Sequence, residues 1–389
     1  MLNFAWHHLL TGILGLLALF WVVAAVCTGL GMLRLPRLAA VAPLADAALP
    51  SVSILFSARN EAEKMPAALR SMLAQDYPHY QVVAVDDRSN DATPEILDEF
   101  ARACKLLLPL RVSELPPSWL GKPHGLQQAY EHSSGEWLVF TDADVVYEPD
   151  VLRRAVSLAI EKRWDHLTLL VSMEMVGFWE KTLLTFFSFS FFFYTQPWAV
   201  PNPRSRRYVG VGAFQLLRRS VYQSIGTHKR LALEVVDDMK LGKLVKEAGY
   251  ISGVALPERS LRLRWHAGLG NLVRGTEKNF FAASGFSLGI VTAQVLAMLL
   301  FFAAPFAALA LTSGLAQGFA GVAVAAMLAI HVGAAMVNQV PLYYALTQPL
   351  GALLFAFMLS RSTFLTLRQG GIYWRDTFYP LEQLRRGLV

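Results

Sequence analysis

Charge is missing from two long stretches of this chain and regular between them. Residues 9–33 contain no Asp, Glu, Lys or Arg, and about 20 apolar residues suffice to cross a bilayer. No basic segment precedes this run and it outlasts the core of a signal peptide, so residues 1–35 are predicted to form an uncleaved transmembrane anchor. Residues 279–360 are again free of Asp, Glu, Lys and Arg, with breaks at Thr312-Ser313-Gly314 and Pro341. Stretches 286–311 and 318–337 each span comfortably. The stretch 351–367 is interrupted by Ser360-Arg361-Ser362 and leads into a tail with Arg368, Arg375, Arg385 and Arg386. That pattern predicts a cytoplasmic end and an interfacial or re-entrant last segment within residues 281–389.

Between the apolar ends, residues 50–280 read as a domain with its own core. Ser51-Val-Ser-Ile-Leu-Phe56 has the β-branched, apolar character of a strand, and Met65, Leu69, Met72 and Leu73 follow with helical spacing. Gln81-Val-Val-Ala-Val85 ends in Asp86-Asp87, and Thr93-Pro94 then supplies a cap and a first-turn proline. Leu110 to Ser113 and Glu136-Trp-Leu-Val-Phe140 add a third and fourth strand, the last running into Thr141-Asp142-Ala143-Asp144 ahead of a helix over 149–162. Strands alternating with helices predict an α/β fold with a parallel sheet, whose ligands bind beyond the carboxyl ends of the strands. Both acidic clusters fall at such ends.

Composition and charge refine this picture. Of 389 residues, 54% are hydrophobic and 16% charged, with a mean hydropathy of +0.38, which excludes a disordered chain. Two cysteines, Cys27 and Cys104, exclude a disulfide framework. Arg34 and Arg37 follow the first span while Arg274 and Lys278 precede the second, so the positive-inside rule predicts an inner-membrane protein with its domain in the cytoplasm. The net charge of +6 then reads as membrane orientation and attraction to anionic headgroups, with no need for nucleic acid.

The candidate chemistry is acidic. Asp142 and Asp144, two apart in extended backbone, project to one side and can approach one cation. Mg2+ or Mn2+ with substrate phosphates suits such a pair, although an Asp-x-Asp after a strand also serves as an ordinary turn. The carboxylates of Asp86-Asp87-Arg-Ser-Asn-Asp-Ala-Thr93 suit hydrogen bonds from a ribose or nucleobase, or else a turn and a helix cap. Lys122, in Trp119-Leu-Gly-Lys-Pro123, opens a helix whose N-terminus attracts phosphate. A solvated lysine is the plain alternative. Glu234-Val-Val-Asp237-Asp238 places acids in the first turn of a helix that stops at Gly249, a pattern that complementing the helix dipole also explains.

In sequence, these pieces resemble the family 2 glycosyltransferases. The carriers are Ala58-Arg59-Asn-Glu61, Val85-Asp-Asp-Arg-Ser-Asn-Asp-Ala-Thr93, Trp119-Leu-Gly-Lys-Pro123, Thr141-Asp-Ala-Asp144 and Asp237-Asp-Met-Lys-Leu241 with Gly249-Tyr250, over about 200 residues. The resemblance implies a GT-A fold and a nucleotide-diphosphate sugar donor, with a UDP-sugar the expected one. It assigns nucleotide-sugar binding to Ala58, Arg59, Glu61, Asp86, Asp87, Lys122 and Asp142, and the metal to Asp144 and Asp142. The general base falls on Asp238, with Asp237 beside it where the family commonly has Glu. A Gln-x-x-Arg-Trp polymer motif is missing; the nearest string is Leu261-Arg-Leu-Arg264-Trp265. Processive polysaccharide synthesis is therefore the secondary reading, and a non-catalytic scaffold or transporter a third. The membrane arrangement, the Trp-x-Gly-Lys string and Gly371-Ile-Tyr-Trp374-Arg375 resemble the branch acting on hopanoids, carotenoids or other lipids. Arg274, Lys278 and Trp374 are expected at the diphosphate or acceptor.

Residues 182–203 are uncharged, and ten aromatics lie between Phe178 and Trp198. A crossing there would separate the metal carboxylates from Asp238, so a helix over about 178–200 is predicted to lie in the membrane interface. Arg204, Arg206 and Arg207 follow it and suit anionic headgroups.

Overall fold

The computed structural model describes residues 2–389, which fall into two compact units. An α/β unit comprises Leu35–Glu174, Pro197–Arg264 and Glu382–Val389. A helical unit holds the N-terminal residues through Arg34, Met175–Gln196 and Trp265–Leu381, and opens with α1 (Leu2–Met32).

In the α/β unit, β1 (Val52–Ala58), β2 (Tyr80–Asp87), β3 (Leu107–Val112) and β4 (Trp137–Phe140) alternate with α2 (Met65–Leu73), α3 (Thr93–Ala103) and α4 (Gly121–Glu131). Then come β5 (Val146–Tyr147), α5 (Val151–Glu161), β6 (His166–Leu169) and β7 (Ser172–Met173). After α6, which belongs to the helical unit, follow β8 (Gln215–Arg218), α7 (Arg219–Ser224), α8 (Asp237–Glu247), β9 (Ser252–Ala255) and β10 (Leu261–Leu263). Seven strands make one sheet in the order β3-β2-β1-β4-β8-β6-β9, and β5-β10-β7 make a small second one. The first four are parallel as predicted, but β8 is antiparallel to both β4 and β6. It begins at Gln215 beside Phe140, at the carboxyl end of β4, and has no direction to run but back.

Because side chains alternate along a strand, β1 feeds two cores. Ile54 and Phe56 pack with Met65, Leu69 and Val156 on one face, while Leu55 packs with Leu126, Leu138 and Tyr222 on the other. Helices on both faces explain why the run is apolar throughout instead of alternating.

At the start of β6, His166 is fully buried, with Nδ1 2.6 Å from Ser252 Oγ and Nε2 3.1 Å from Gln215 Oε1. Burial holds it down at about 4. An unfolded histidine titrates at about 6.5, so this stability is complete above that pH and is lost as pH falls toward 4, about 2 kcal/mol of it by pH 5. Thermal melting in detergent at pH 7 and pH 5 checks this. The drop between the two is expected to shrink in His166→Gln, and an unchanged drop would remove His166 as a cause.

The helical unit contains α6 (Phe178–Thr195), α9 (Gly268–Ala283), α10 (Leu288–Ala297), a π turn at Met298–Ala303, α11 (Ala304–Leu311), α12 (Gly314–Val337) and α13 (Gln348–Gln369). A hairpin of β11 (Gly371–Trp374) and β12 (Thr377–Pro380) follows, then α14 (Leu381–Arg386). Among the described residues, four stretches are long and apolar enough to cross a membrane: His7–Met32, Leu288–Leu311, Gly314–Val337 and Leu342–Gln369. Ala316, Ala320 and Ala323 give α12 a small-residue ridge, with Leu14, Leu17, Ala18 and Trp21 of α1 buried in the same clusters, the packing that lets membrane helices approach closely. The π turn has a local cause. A proline ring clashes with the carbonyl four residues back, which for Pro305 is Phe301, and that displaced carbonyl accepts the Trp21 indole N–H at 3.0 Å.

One sequence expectation changes here. The last apolar segment is not interrupted: α13 runs unbroken through Ser360-Arg361-Ser362. Arg361 Nη2 lies 2.8 Å from Glu277 Oε1, and Ser362 Oγ accepts the Phe281 N–H at 3.0 Å and donates to the Glu277 carbonyl, so α9 supplies the polar partners. In α6, Phe186, Phe189 and Phe192 are buried in protein, Phe189 and Phe186 against Trp21, Phe302 and His331, while Phe178, Trp179 and Tyr194 are exposed.

Candidate active site

The carboxyl ends of β1, β2 and β4 hold the acidic clusters. Ala58, buried at the end of β1, pairs in register with Asp86 of β2. The following loop, Arg59-Asn60-Glu61, is stitched to the loop after β2. Asn60 N–H donates to Ser89 Oγ at 2.9 Å, Glu61 N–H to Thr93 Oγ1 at 2.9 Å, and Ala62 N–H to Asp91 Oδ2 at 3.1 Å. Asn60 Oδ1 accepts the Asn90 N–H at 2.9 Å. These bonds hold Asn60 and Arg88 at φ of 56° and 57°, the left-handed region uncommon outside glycine. Ser89, Asp91 and Thr93 thus close the loops, and Asp86 Oδ1 accepts the Ser89 N–H at 3.3 Å.

Asp86 is 5% exposed, and burial pushes its carboxyl above the usual range against hydrogen bonds from Ser89 and the charge of Arg111. Asp87 takes the Arg88 guanidinium in a fork, Nε to Oδ1 at 2.7 Å and Nη2 to Oδ2 at 3.1 Å. The start of α4 abuts this pair: a Cβ on Gly121 would lie 2.1 Å from Asp87 Oδ2. Glycine is what allows Lys122 to follow directly.

After β4, Thr141, Ala143 and Val145 are buried while Asp142 and Asp144 are partly exposed, as extended backbone requires. Lys122 Nζ donates to Asp142 Oδ1 at 2.6 Å, and Lys64 Nζ to Asp144 Oδ2 at 3.0 Å. Burial pushes the Asp144 carboxyl up, the charge of Asp142 adds to this, and Lys64 opposes both. Burial works against the Lys122 ammonium, but Asp142, Asp237 and Asp238 outweigh it and hold the lysine above its ordinary value. A pair of hard carboxylates two residues apart, one of which makes the other costlier to ionise, fits a divalent cation such as Mg2+ or Mn2+. Among the described residues no three His, Cys, Asp or Glu side chains gather closely enough to hold an ion alone. Phosphate oxygens and water would complete the shell.

α8 opens on the third cluster. Asp237 is 4% exposed, with Oδ1 4.0 Å from Lys122 Nζ and Oδ2 3.9 Å from His228 Nε2. Burial first and Lys122 second hold His228 at about 3, so the imidazole is neutral, its Nδ1 2.6 Å from the Tyr222 hydroxyl. Asp238 is half-buried; Oδ2 accepts the Gly212 N–H at 2.9 Å and Oδ1 the Met239 N–H at 2.7 Å. A small pocket beside Asp237 and Asp238 is also lined by Lys122, Thr141, Gly212 and Gln215. A Cβ on Gly212 would come within 2.7 Å of Asp142 Oδ2.

All three clusters predicted from sequence therefore meet at the start of α4. Arg274, Lys278 and Trp374 belong to the helical unit, where Arg274 Nη2 donates to Asn271 Oδ1 at 2.8 Å and Lys278 Nζ sits 3.8 Å above the Trp374 ring. Lys64, His228 and Gly212 went unrecognised. Only Gly212 carries a signal, the small-residue string Val209-Gly-Val-Gly212 before a strand.

A parallel-rich α/β sheet with acids gathered beyond its carboxyl ends is the architecture of the GT-A fold, and here it is accompanied by helices apolar enough to span a membrane. Residues 53–226 match the family model described as glycosyl transferase family 2, so this segment carries a domain of that family. A beta-monoglucosyldiacylglycerol synthase of Trichormus variabilis is 30% identical over 182 residues, 46% of this chain and 38% of that relative. A 4,4'-diaponeurosporenoate glycosyltransferase of Staphylococcus haemolyticus is 23% identical over 194 residues, 50% of this chain and 51% of that relative. The chain thus matches about half or less of these relatives' own length. Among solved structures, a mannosyltransferase from Pyrobaculum calidifontis in complex with GDP-Man and Mn2+ shares the fold, with a TM-score of 0.54, 20% identity, and coverage of 88% of this chain and 99% of that one.

Proposed function

We propose that this protein transfers a single sugar from a nucleotide-diphosphate sugar, a UDP-sugar by preference, to a hydroxyl of a membrane lipid, with inversion. The observation that carries the reading is the convergence of Asp87, Asp142, Asp237 and Asp238 on Lys122 and the start of α4. Four candidate spans and relatives named for lipid glycosylation support a lipid acceptor held at the inner leaflet. In this reading Asp86 and Asp87, with the loop Ala58-Arg59-Asn60-Glu61, receive the nucleoside. Asp142 and Asp144 would hold Mg2+ or Mn2+, which when bound neutralises charge on the diphosphate leaving group. Lys122 adds a second positive charge there, at a helix N-terminus that itself favours phosphate. Asp238 takes the proton of the acceptor hydroxyl. The hydroxyl oxygen bonds to the anomeric carbon as the bond from that carbon to the diphosphate oxygen breaks, and the electron pair leaves with the nucleoside diphosphate. Asp237 is too enclosed for this task. Its place between Lys122 and His228 suits holding the lysine.

Lipid extracts of cells with and without the protein, compared by mass, test the reading. One lipid is expected to gain a single hexose-type increment, and purified protein with donor, Mg2+ and that lipid should reproduce it. A ladder of increments would favour a polysaccharide synthase, and no consumption of any nucleotide sugar would end the proposal.

A further inference from the structure

Residues 382–389 leave the helical unit and rejoin the α/β unit, where they close over the segment that carries the acid pair. Leu384 is fully buried. Gly387 lies so near the chain before α8 that a Cβ would sit 2.3 Å from Leu233 Cβ. The Val389 N–H donates to Glu234 Oε2 at 3.2 Å, and the Val389 side chain packs against the core that contains Leu231, Leu241 and Leu244. Lys240, one turn into α8, donates to the Val389 carbonyl and lies 3.5 Å from Glu234 Oε2. Asp237 and Asp238 stand between the two residues that grip the tail. The same segment reaches the phosphate side of the site, because the Ala232 carbonyl accepts the Leu120 N–H at 2.7 Å, two residues before Lys122.

Glu234 makes this more than incidental packing. It is 1% exposed, and its Oε1 has no hydrogen-bond partner among the described residues. A buried ion pair contributes little to stability once desolvation is counted, and its best-attested use is to fix register. A loop that only needed to be stable would do better with an apolar residue at 234.

We propose that residues 387–389, gripped by Glu234 and Lys240, are a positioning strap that sets the alignment of Asp238 and Lys122 and so the rate of sugar transfer. This rests on the transfer reading above. The test compares the full chain with a deletion of residues 387–389, Lys240→Met and Lys240→Arg. Turnover and donor KM are measured beside amide exchange over 231–241 and 118–124 and the melting temperature. The deletion and Lys240→Met are expected to lower turnover at least tenfold with donor KM within twofold, while Lys240→Arg recovers at least half. Exchange is expected to quicken over both segments with the rest of the sheet unchanged. Full turnover in the deletion, or faster exchange spread across the sheet with a matching fall in melting temperature, would overturn the strap. Should the full chain transfer no sugar, the functional reading falls while the exchange data still decide whether the strap holds these segments.

Discussion

Asp238→Asn is expected to lower turnover by about 10^2- to 10^4-fold, the usual contribution of a positioned base, with the donor dissociation constant within about threefold of the parent. The split follows from the surroundings. Both Asp238 oxygens accept backbone N–H groups, from Gly212 at 2.9 Å and Met239 at 2.7 Å, so an amide of the same shape can keep one of those bonds and stay in place. What it loses is the charge that, in the proposed mechanism, receives the acceptor's proton. Asp237→Asn is the informative contrast: that side chain is buried and faces Lys122 and His228, so its loss should appear first in stability. Equilibrium donor binding and steady-state rates on the two variants separate the roles. Donor affinity collapsing together with turnover in Asp238→Asn would place that residue at the nucleotide, and an unaltered rate would remove it from the reaction.

The acids were legible because strand periodicity fixes where a strand ends and which residues follow it. Asp86-Asp87 and Asp142-Ala-Asp144 lie just past apolar runs whose length and composition already demanded burial, and the structure puts both at the carboxyl edge of the sheet. The helix start at Asp237 was legible for the same local reason. What escaped depends on distant neighbours. Lys64 lies 80 positions from Asp144, and Val389 lies 155 from Glu234; no local pattern carries such a pairing. The direction of β8 was hidden too, since it follows from where the chain returns after α6. Ser360-Arg361-Ser362 misled for a related reason: three polar residues break an apolar run in sequence, but not a helix whose neighbour offers Glu277.

Lys122→Met is expected to reduce stability by about 3 kcal/mol, at the low end for breaking a largely buried charge pair, and to abolish transfer. The lysine is the shared counter-charge of Asp142 at 2.6 Å and Asp237 at 4.0 Å, with Asp238 also in its field. Without it the three carboxylates lose their shared counter-charge, and each becomes harder to ionise. The sign of the pH dependence follows. Carboxyls whose folded pKa is raised cost stability at pH values where the unfolded chain has released those protons, and that cost fades as acid returns them to the folded state. Lys122 itself is protonated in both states from pH 5 to 8 and contributes no slope there. Melting curves of parent and variant should therefore lie furthest apart near pH 7.5 and approach one another toward pH 5. A gap of constant size across that range would mean that the lysine matters through packing alone, and the electrostatic account of how the three clusters are held together would be wrong.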